Sequence, residues 1–139
     1  PDKTRLVDAT RPGGFDFLGY HFERGQKWPR RKALDRFKDK VRERTPRSSG
    51  ESMEATIASL NDMLRGWFGY FKHSSRDRLD GLDSYIRGRL RSILRKRMGR
   101  RGRGRGYDHQ RWRNHYFDEL GLFSLTRAHV SARLSPQGV

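Results

Sequence analysis

The sequence predicts a mainly α-helical bundle with a short β fragment at its N-terminal end. Apolar residues recur at three and four residues over most of the chain after Pro29, whereas the aromatic-rich stretch before Trp28 is cut by glycine turns. Composition points the same way: 32% of the 139 residues are hydrophobic and 35% charged. The core must therefore be small, drawn from helix faces and from the three Trp and eight Phe. Cysteine is absent, which excludes a disulfide scaffold and a thiolate zinc finger. No apolar run approaches the roughly 18 residues of a membrane span, so no membrane partner is expected and a cytoplasmic location is.

Thr4 to Asp8 and Phe15 to Phe22 read as two short strands separated by Arg11-Pro12-Gly13-Gly14, with Gly25 marking a second turn before Trp28. As one strand, the second puts Phe15 and Phe17 on one face and Leu18, Tyr20 and Phe22 on the other, so both faces want cover. The chain also opens on Pro1 rather than methionine. Both features are expected of a C-terminal piece whose remaining strands lie upstream. Lys32 to Thr45 spaces Leu34, Phe37 and Val41 as an amphipathic helix, ended by Pro46. Ser48 and Glu51 have capping-box spacing and start a second helix near Ser49, with Ile57, Leu60, Leu64, Trp67, Phe68 and Phe71 as its apolar stripe. A third helix runs from about Gly81 to Met98, burying Leu82, Tyr85, Ile86, Leu90, Ile93 and Leu94, and Gly99 stops it.

Arg100 to Gly106 alternates arginine with glycine and is expected to be a mobile loop. A short helix is expected from Arg111 to Leu120, closed by Gly121. Leu122-Phe123-Ser124-Leu125 then lays an apolar anchor back on the bundle, and the residues from Ser135 onward are expected to fray. The predicted division is residues 1–28 as the β fragment, 29–134 as the helical domain and 135–139 as a tail.

The charge is lopsided: 32 Lys and Arg stand against 16 Asp and Glu, a formal net charge of +16. A compact body with that field repels itself unless a polyanion neutralises it. Twenty-five of the cations are arginine, whose planar guanidinium binds phosphate bidentately and stacks on bases. Arg87 to Arg113 alone carries twelve cations and one acid, Asp108, or +11 of the +16. Arg87, Arg91 and Arg95 repeat at four residues, and Arg89, Lys96 and Arg97 widen the band. Like charges at that spacing repel, and a row of bound phosphates is the expected compensation. A charge run more commonly marks a solvated face, but solubility needs mixed signs rather than one.

RNA contact is therefore expected through Arg87, Arg89, Arg91, Arg95, Lys96, Arg97, Arg100, Arg101, Arg103, Arg105, His109, Arg111, Trp112 and Arg113, joined by Arg65, Tyr70 and Lys72 on or just after the second helix. Trp67 lies on the apolar stripe and reads as core, whereas Trp112, flanked by Arg111 and Arg113, reads equally as core or as a stacking platform. No residue is assigned a catalytic role and no cofactor is expected. The alternatives are a metal-dependent nuclease using Asp108, His109 and His115, and a basic structural protein of a ribonucleoprotein. No CxxC, HExxH, Walker A or Rossmann spacing supports a metal or nucleotide site.

Four ordered blocks carry a resemblance. Phe15-Asp16-Phe17-Leu18-Gly19-Tyr20-His21-Phe22, then Leu60 to Phe71 (LNDMLRGWFGYF), then Arg87-Gly88-Arg89-Leu90-Arg91, and finally Gly121-Leu122-Phe123-Ser124-Leu125 resemble the group II intron reverse transcriptase/maturase family in order and spacing. The resemblance implies that the N-terminal fragment is the last palm segment and that the helices form the thumb, or maturase-specific region. It further implies that group II intron RNA and a template-primer duplex are the partners, alongside the parent's palm. Arg65, Gly66, Trp67 and Tyr70 match the family's LRGW-x-x-Y block, Arg89 to Arg91 its RLR block, and Arg103, Gly104, Gly106, His109, Arg111 and Trp112 the segment before GLFSL. Arg113 stands where the family places proline. The polymerase Tyr-Ala-Asp-Asp motif is absent from these residues, so the magnesium of such a polymerase would belong to the parent's palm.

Overall fold

A computed structural model describes residues 13–48, 50–99 and 107–134. Three antiparallel strands, β1 (Phe15–Phe17), β2 (Tyr20–Glu23) and β3 (Gln26–Pro29), lead into helices α1 (Arg31–Arg44), α2 (Met53–Phe71) and α3 (Arg76–Arg97). The short α4 (Asp108–Arg111) and α5 (Asn114–Glu119) follow, and α6 (Leu125–Leu134) closes the described chain. The expected class, mainly α with a small N-terminal β element, is what the chain forms. The strand expected at Thr4 to Asp8, the segment from Arg100 to Gly106 and the tail from Ser135 all lie outside the described residues.

The expectation of one strand from Phe15 to Phe22 is corrected. The chain reverses at Leu18-Gly19, where both residues have positive φ (53° and 86°), and again at Arg24-Gly25 (51° and 78°). Positive φ at both central positions is the signature of the tight hairpin turn that matches strand twist. Phe15 therefore pairs with Phe22, and Phe17 with Tyr20. Cross-strand partners share a face, so all four aromatics lie on one side rather than two. The opposite face carries Asp16, His21 and Trp28. The argument that two apolar faces demand further strands thus loses its basis.

Hydrogen bonds fasten the sheet to the helices. The Tyr20 hydroxyl donates to the Tyr70 carbonyl at 2.9 Å, and the Tyr70 hydroxyl donates to the Leu18 carbonyl at 2.7 Å. Gly19 sits under the Tyr70 ring, where an added Cβ would lie 3.3 Å from a ring carbon. Both its positive φ and this approach favour glycine. On the outer face, His21 bridges Asp16 (2.7 Å) and Glu23 (3.0 Å). Its pKa is raised, chiefly by Glu23 and then by Asp16. A raised histidine pKa stabilises the fold below about pH 6.5 and loses that contribution as pH rises through the folded value. An NMR titration of His21 should therefore show a midpoint above 6.5 that returns toward it in Glu23→Gln. An unmoved midpoint would remove Glu23 as the cause.

The helices form because their apolar residues fall on single stripes. Phe37 and Val41 of α1 meet Ile57, Leu60 and Leu64 of α2 and Leu79, Leu82, Ile86, Leu90 and Ile93 of α3 in one buried cluster. Each fully buried Leu, Ile or Phe contributes roughly 1.5–3 kcal/mol, so this cluster is the main source of stability. The start of α2 is capped by Ser52, whose hydroxyl accepts from the Ala55 N–H at 3.1 Å, and not by the Ser48/Glu51 pair. Ser52 stands one residue before the first helical position, where the unpaired N–H groups need an acceptor. Helix α3 begins at Arg76, five residues before the expected Gly81, because Leu79 extends the buried stripe by one turn. Gly99, with φ 80°, ends it as expected.

The expected single helix from Arg111 to Leu120 is broken at Trp112-Arg113 into α4 and α5, and the anchor after Gly121 opens into α6. Leu122 and Leu125 join the core as anticipated. Two buried polar residues receive this segment. Asn61 donates to the Gly121 carbonyl and accepts from the Phe123 N–H, both at 2.8 Å. Asp83 accepts from the Leu125 N–H (2.9 Å), the Thr126 N–H (3.0 Å) and the Ser124 hydroxyl (3.1 Å), so a carboxylate on α3 caps α6.

Candidate nucleic-acid interface

Four residues separate α2 from α3, so the two form an antiparallel hairpin and the C-terminal end of α3 returns beside the start of α2. Arg97 confirms the return by donating to the Glu51 carbonyl, and Lys96 donates to the Ser48 hydroxyl at 3.0 Å. The expected arginine band divides here into side chains turned inward and side chains left at the surface.

Arg91 is 4% exposed. It donates to the Trp112 carbonyl (2.8 Å) and the Asn114 side-chain oxygen (2.9 Å), and lies 5.3 Å from the Phe117 ring centroid. Arg95 binds the Asp108 carboxylate at 2.6 Å, with side chains 12% and 2% exposed. Arg89 donates to the hydroxyl (3.1 Å) and carbonyl (2.7 Å) of buried Thr45. Burial is the first cause that lowers the pKa of Arg89 and of Arg91. The row of mutually repelling guanidiniums is therefore compensated within the protein at Arg91 and Arg95. Phosphate is not needed for that purpose, which corrects the expectation. These two side chains tie α3 to α4 and α5 across the intervening arginine-glycine segment.

Removing the Asp108 carboxylate takes a 2.6 Å charged partner away from the largely buried Arg95 guanidinium. Asp108→Ala is expected to lower stability by about 3 kcal/mol, and the apolar pair Arg95→Met with Asp108→Leu by much less. Urea denaturation of the two variants tests this. Equal losses would show that Arg95 does not depend on the Asp108 carboxylate.

The clamp leaves Lys96, Arg97, His109, Arg111 and Arg113 exposed around one end of the molecule. Arg111 donates to the Met98 sulfur at 3.1 Å and lies 5.6 Å from the Trp112 ring centroid. Trp112 is partly buried against the core. Arg91, His109, Gln110, Arg113, Asn114 and His115 line a shallow surface groove of about 380 Å³. By sequence, Arg100, Arg101, Arg103 and Arg105 fall between Gly99 and Tyr107, but outside the described residues.

The other candidates lie elsewhere. Arg87 reaches Ser84 at 3.2 Å midway along α3, and Arg65 sits 5.7 Å from the Phe123 ring centroid midway along α2. Tyr70, 57% exposed, and Lys72 are at the far end of the hairpin. Trp67 packs on Phe37 and Phe71 at 4.5 and 4.8 Å between centroids, as a core residue does. A groove of about 490 Å³ that the sequence reading missed runs beside Tyr70, lined also by Arg30, Arg36 and Lys40. The polar face of α1 carries two of these cations, at Arg36 and Lys40. That was the available signal, but the arginine density of α3 overshadowed it.

For the nuclease alternative, the decisive residue is Asp108, whose carboxylate is buried against Arg95. His115 pairs with Glu119 at 3.1 Å. Among the described residues no group of three metal-capable side chains comes together. No helix among them is long and apolar enough to cross a membrane.

A helical bundle that turns part of its arginine inward to hold a cation-rich end in place belongs, by fold and surface, with proteins that grip a polyanion. The family model described as "Group II intron, maturase-specific domain" matches residues 34–116, from α1 into α5. The chain belongs to this family, which in general implies group II intron RNA as its partner. The comparison with individual curated proteins gave no match.

Proposed function

We propose that the chain binds folded group II intron RNA through the exposed cations around the C-terminal end of α3, and by doing so favours the spliced form of the intron. The observation that carries this reading is the inward clamp: Arg91 and Arg95 fix α4 and α5 so that Lys96, Arg97, Arg111 and Arg113 gather at one end of the bundle. Guanidinium and ammonium groups held there by a rigid scaffold neutralise closely spaced phosphates with little ordering cost. RNA conformations with dense phosphate packing gain most from such neutralisation, which is how binding assists splicing.

In the longer reverse transcriptase that the resemblance implies, residues 1–28 are the end of the palm and the helical region is a thumb. That thumb would hold template-primer while the parent's palm, in the cytoplasm, works with magnesium. Splicing of a group II intron transcript at near-physiological magnesium tests the proposal, with the parent protein added intact or with Lys96, Arg97, Arg111 and Arg113 all changed to Gln. Rescue by the intact protein and not by the variant is expected. Equal rescue would overturn the reading in favour of a merely structural basic protein.

A further inference from the structure

The end of the hairpin remote from the arginine cluster holds a second concentration of positive charge. A groove of about 620 Å³ lies where β3, the N-terminal end of α3 and the C-terminal half of α6 meet. Its lining includes Lys27, Arg76 and Arg133, together with His73 and His129, and no carboxylate among the described residues. The acid of α3's first turn, Asp77, is not among the lining residues. The local field is felt by His73, whose pKa is lowered first by burial and then by Lys27, Lys72 and His129.

Helix α3 has 22 residues, and its first turn faces this groove at Arg76. Its N-terminus adds partial positive charge and N–H groups without intrahelical partners. Ser74 lines the groove and is 1% exposed, and its hydroxyl is hydrogen-bonded to the Tyr20 hydroxyl, whose own proton goes to the Tyr70 carbonyl.

We propose that this groove seats a phosphodiester group of the bound RNA, as a second anchor at the opposite end of α3 from the arginine cluster. The inference rests on the RNA-binding reading above. With a rise of 1.5 Å per residue, the two anchors are roughly 30 Å apart, so one RNA must span the length of the hairpin to reach both. A short single-stranded tract at one end does not satisfy both anchors, whereas a folded helical RNA does.

The test compares RNA affinity over a range of salt concentrations for the unaltered chain and for Arg76→Gln with Arg133→Gln, two exposed positions outside the core. Affinity is expected to fall roughly tenfold and the log-log salt slope by about one unit. Combined with the Lys96, Arg97, Arg111 and Arg113 variant, the losses should multiply. Unchanged affinity and slope, while the arginine-cluster variant still binds weakly, would overturn the second anchor alone. If neither variant moves either quantity, the RNA-binding reading falls with it.

A second measurement needs no variant. Inorganic phosphate titrated into the unaltered chain should shift the NMR signals of the Arg76 and Asp77 amides and the His73 ring, and RNA should suppress those shifts. Absence of shifts counts against the site. Shifts that RNA does not suppress would assign the groove to a free anion and overturn its RNA role.

Discussion

Asp83→Ala is expected to lower the unfolding free energy by about 3–4 kcal/mol. The Asp83 carboxylate is buried in α3 and accepts hydrogen bonds from Leu125, Thr126 and Ser124 at 2.9–3.1 Å. Alanine leaves two backbone N–H groups and a hydroxyl without an acceptor in a partly dry environment, and deletes the charge that complements the start of α6. Leu122 and Leu125, held in the core by this attachment, lose their anchorage as well. Asp83→Asn keeps one acceptor oxygen and should cost about half as much. Urea denaturation followed by circular dichroism measures both. A loss under about 1 kcal/mol for alanine would show that the apolar contacts alone hold α6, since a typical neutral hydrogen bond is worth no more than that.

Changing Lys96, Arg97, Arg111 and Arg113 together to Gln is expected to weaken binding of folded intron RNA on the order of 100-fold at physiological salt. The slope of log affinity against log salt should become shallower by about three to four units if each side chain faces one phosphate. All four are exposed, so the thermal midpoint should hardly move. Arg91→Gln supplies the contrast. It removes a buried group that donates to Trp112 and Asn114, and should reduce stability while leaving the salt slope of the folded fraction nearly intact. Should the four-residue variant retain both affinity and slope, the exposed cluster is not the RNA contact. A lowered slope in Arg91→Gln without loss of stability would instead move the contact onto the inward side chains.

Periodicity made the three long helices readable. Phe37 and Val41, then Ile57, Leu60, Leu64 and Phe71, then Leu82, Ile86, Leu90 and Ile93 are buried as their spacing implies, with Trp67, Phe68 and Tyr85 partly buried beside them, because an amphipathic stripe has few other ways to leave water. The hairpin was misread because Leu18-Gly19 lacks the Asn-Gly or Asp-Gly signature of such turns, and Leu18 looks like a strand residue until its positive φ is seen. Helix α6 went unrecognised although Ser124, whose hydroxyl accepts from the Arg127 N–H at 3.1 Å, is a local cap signal; its second cap acceptor, Asp83, stands 42 residues upstream of Leu125.

The arginine cluster shows a similar limit. Arg95 and Lys96 are neighbours in sequence, yet one faces a buried carboxylate 13 residues away and the other is exposed and reaches Ser48. Sequence spacing identifies a cationic helix face, but which guanidiniums serve the fold depends on where α4 and α5 dock. Composition gave the polyanion and the ordered blocks gave the family, both without knowledge of that docking.

The cap that α3 supplies to α6 also imposes an order on assembly. A ten-residue helix is marginal in water when isolated, and here two of its leading N–H groups bond to Asp83 on α3 while the residues just before it bond to Asn61 on α2, so its docking uses both helices. The terminal helix is thus a late arrival that reports on completion of the hairpin. A nascent chain that has not yet reached Gly121 would leave both Asn61 and Asp83 without the partners that this segment supplies.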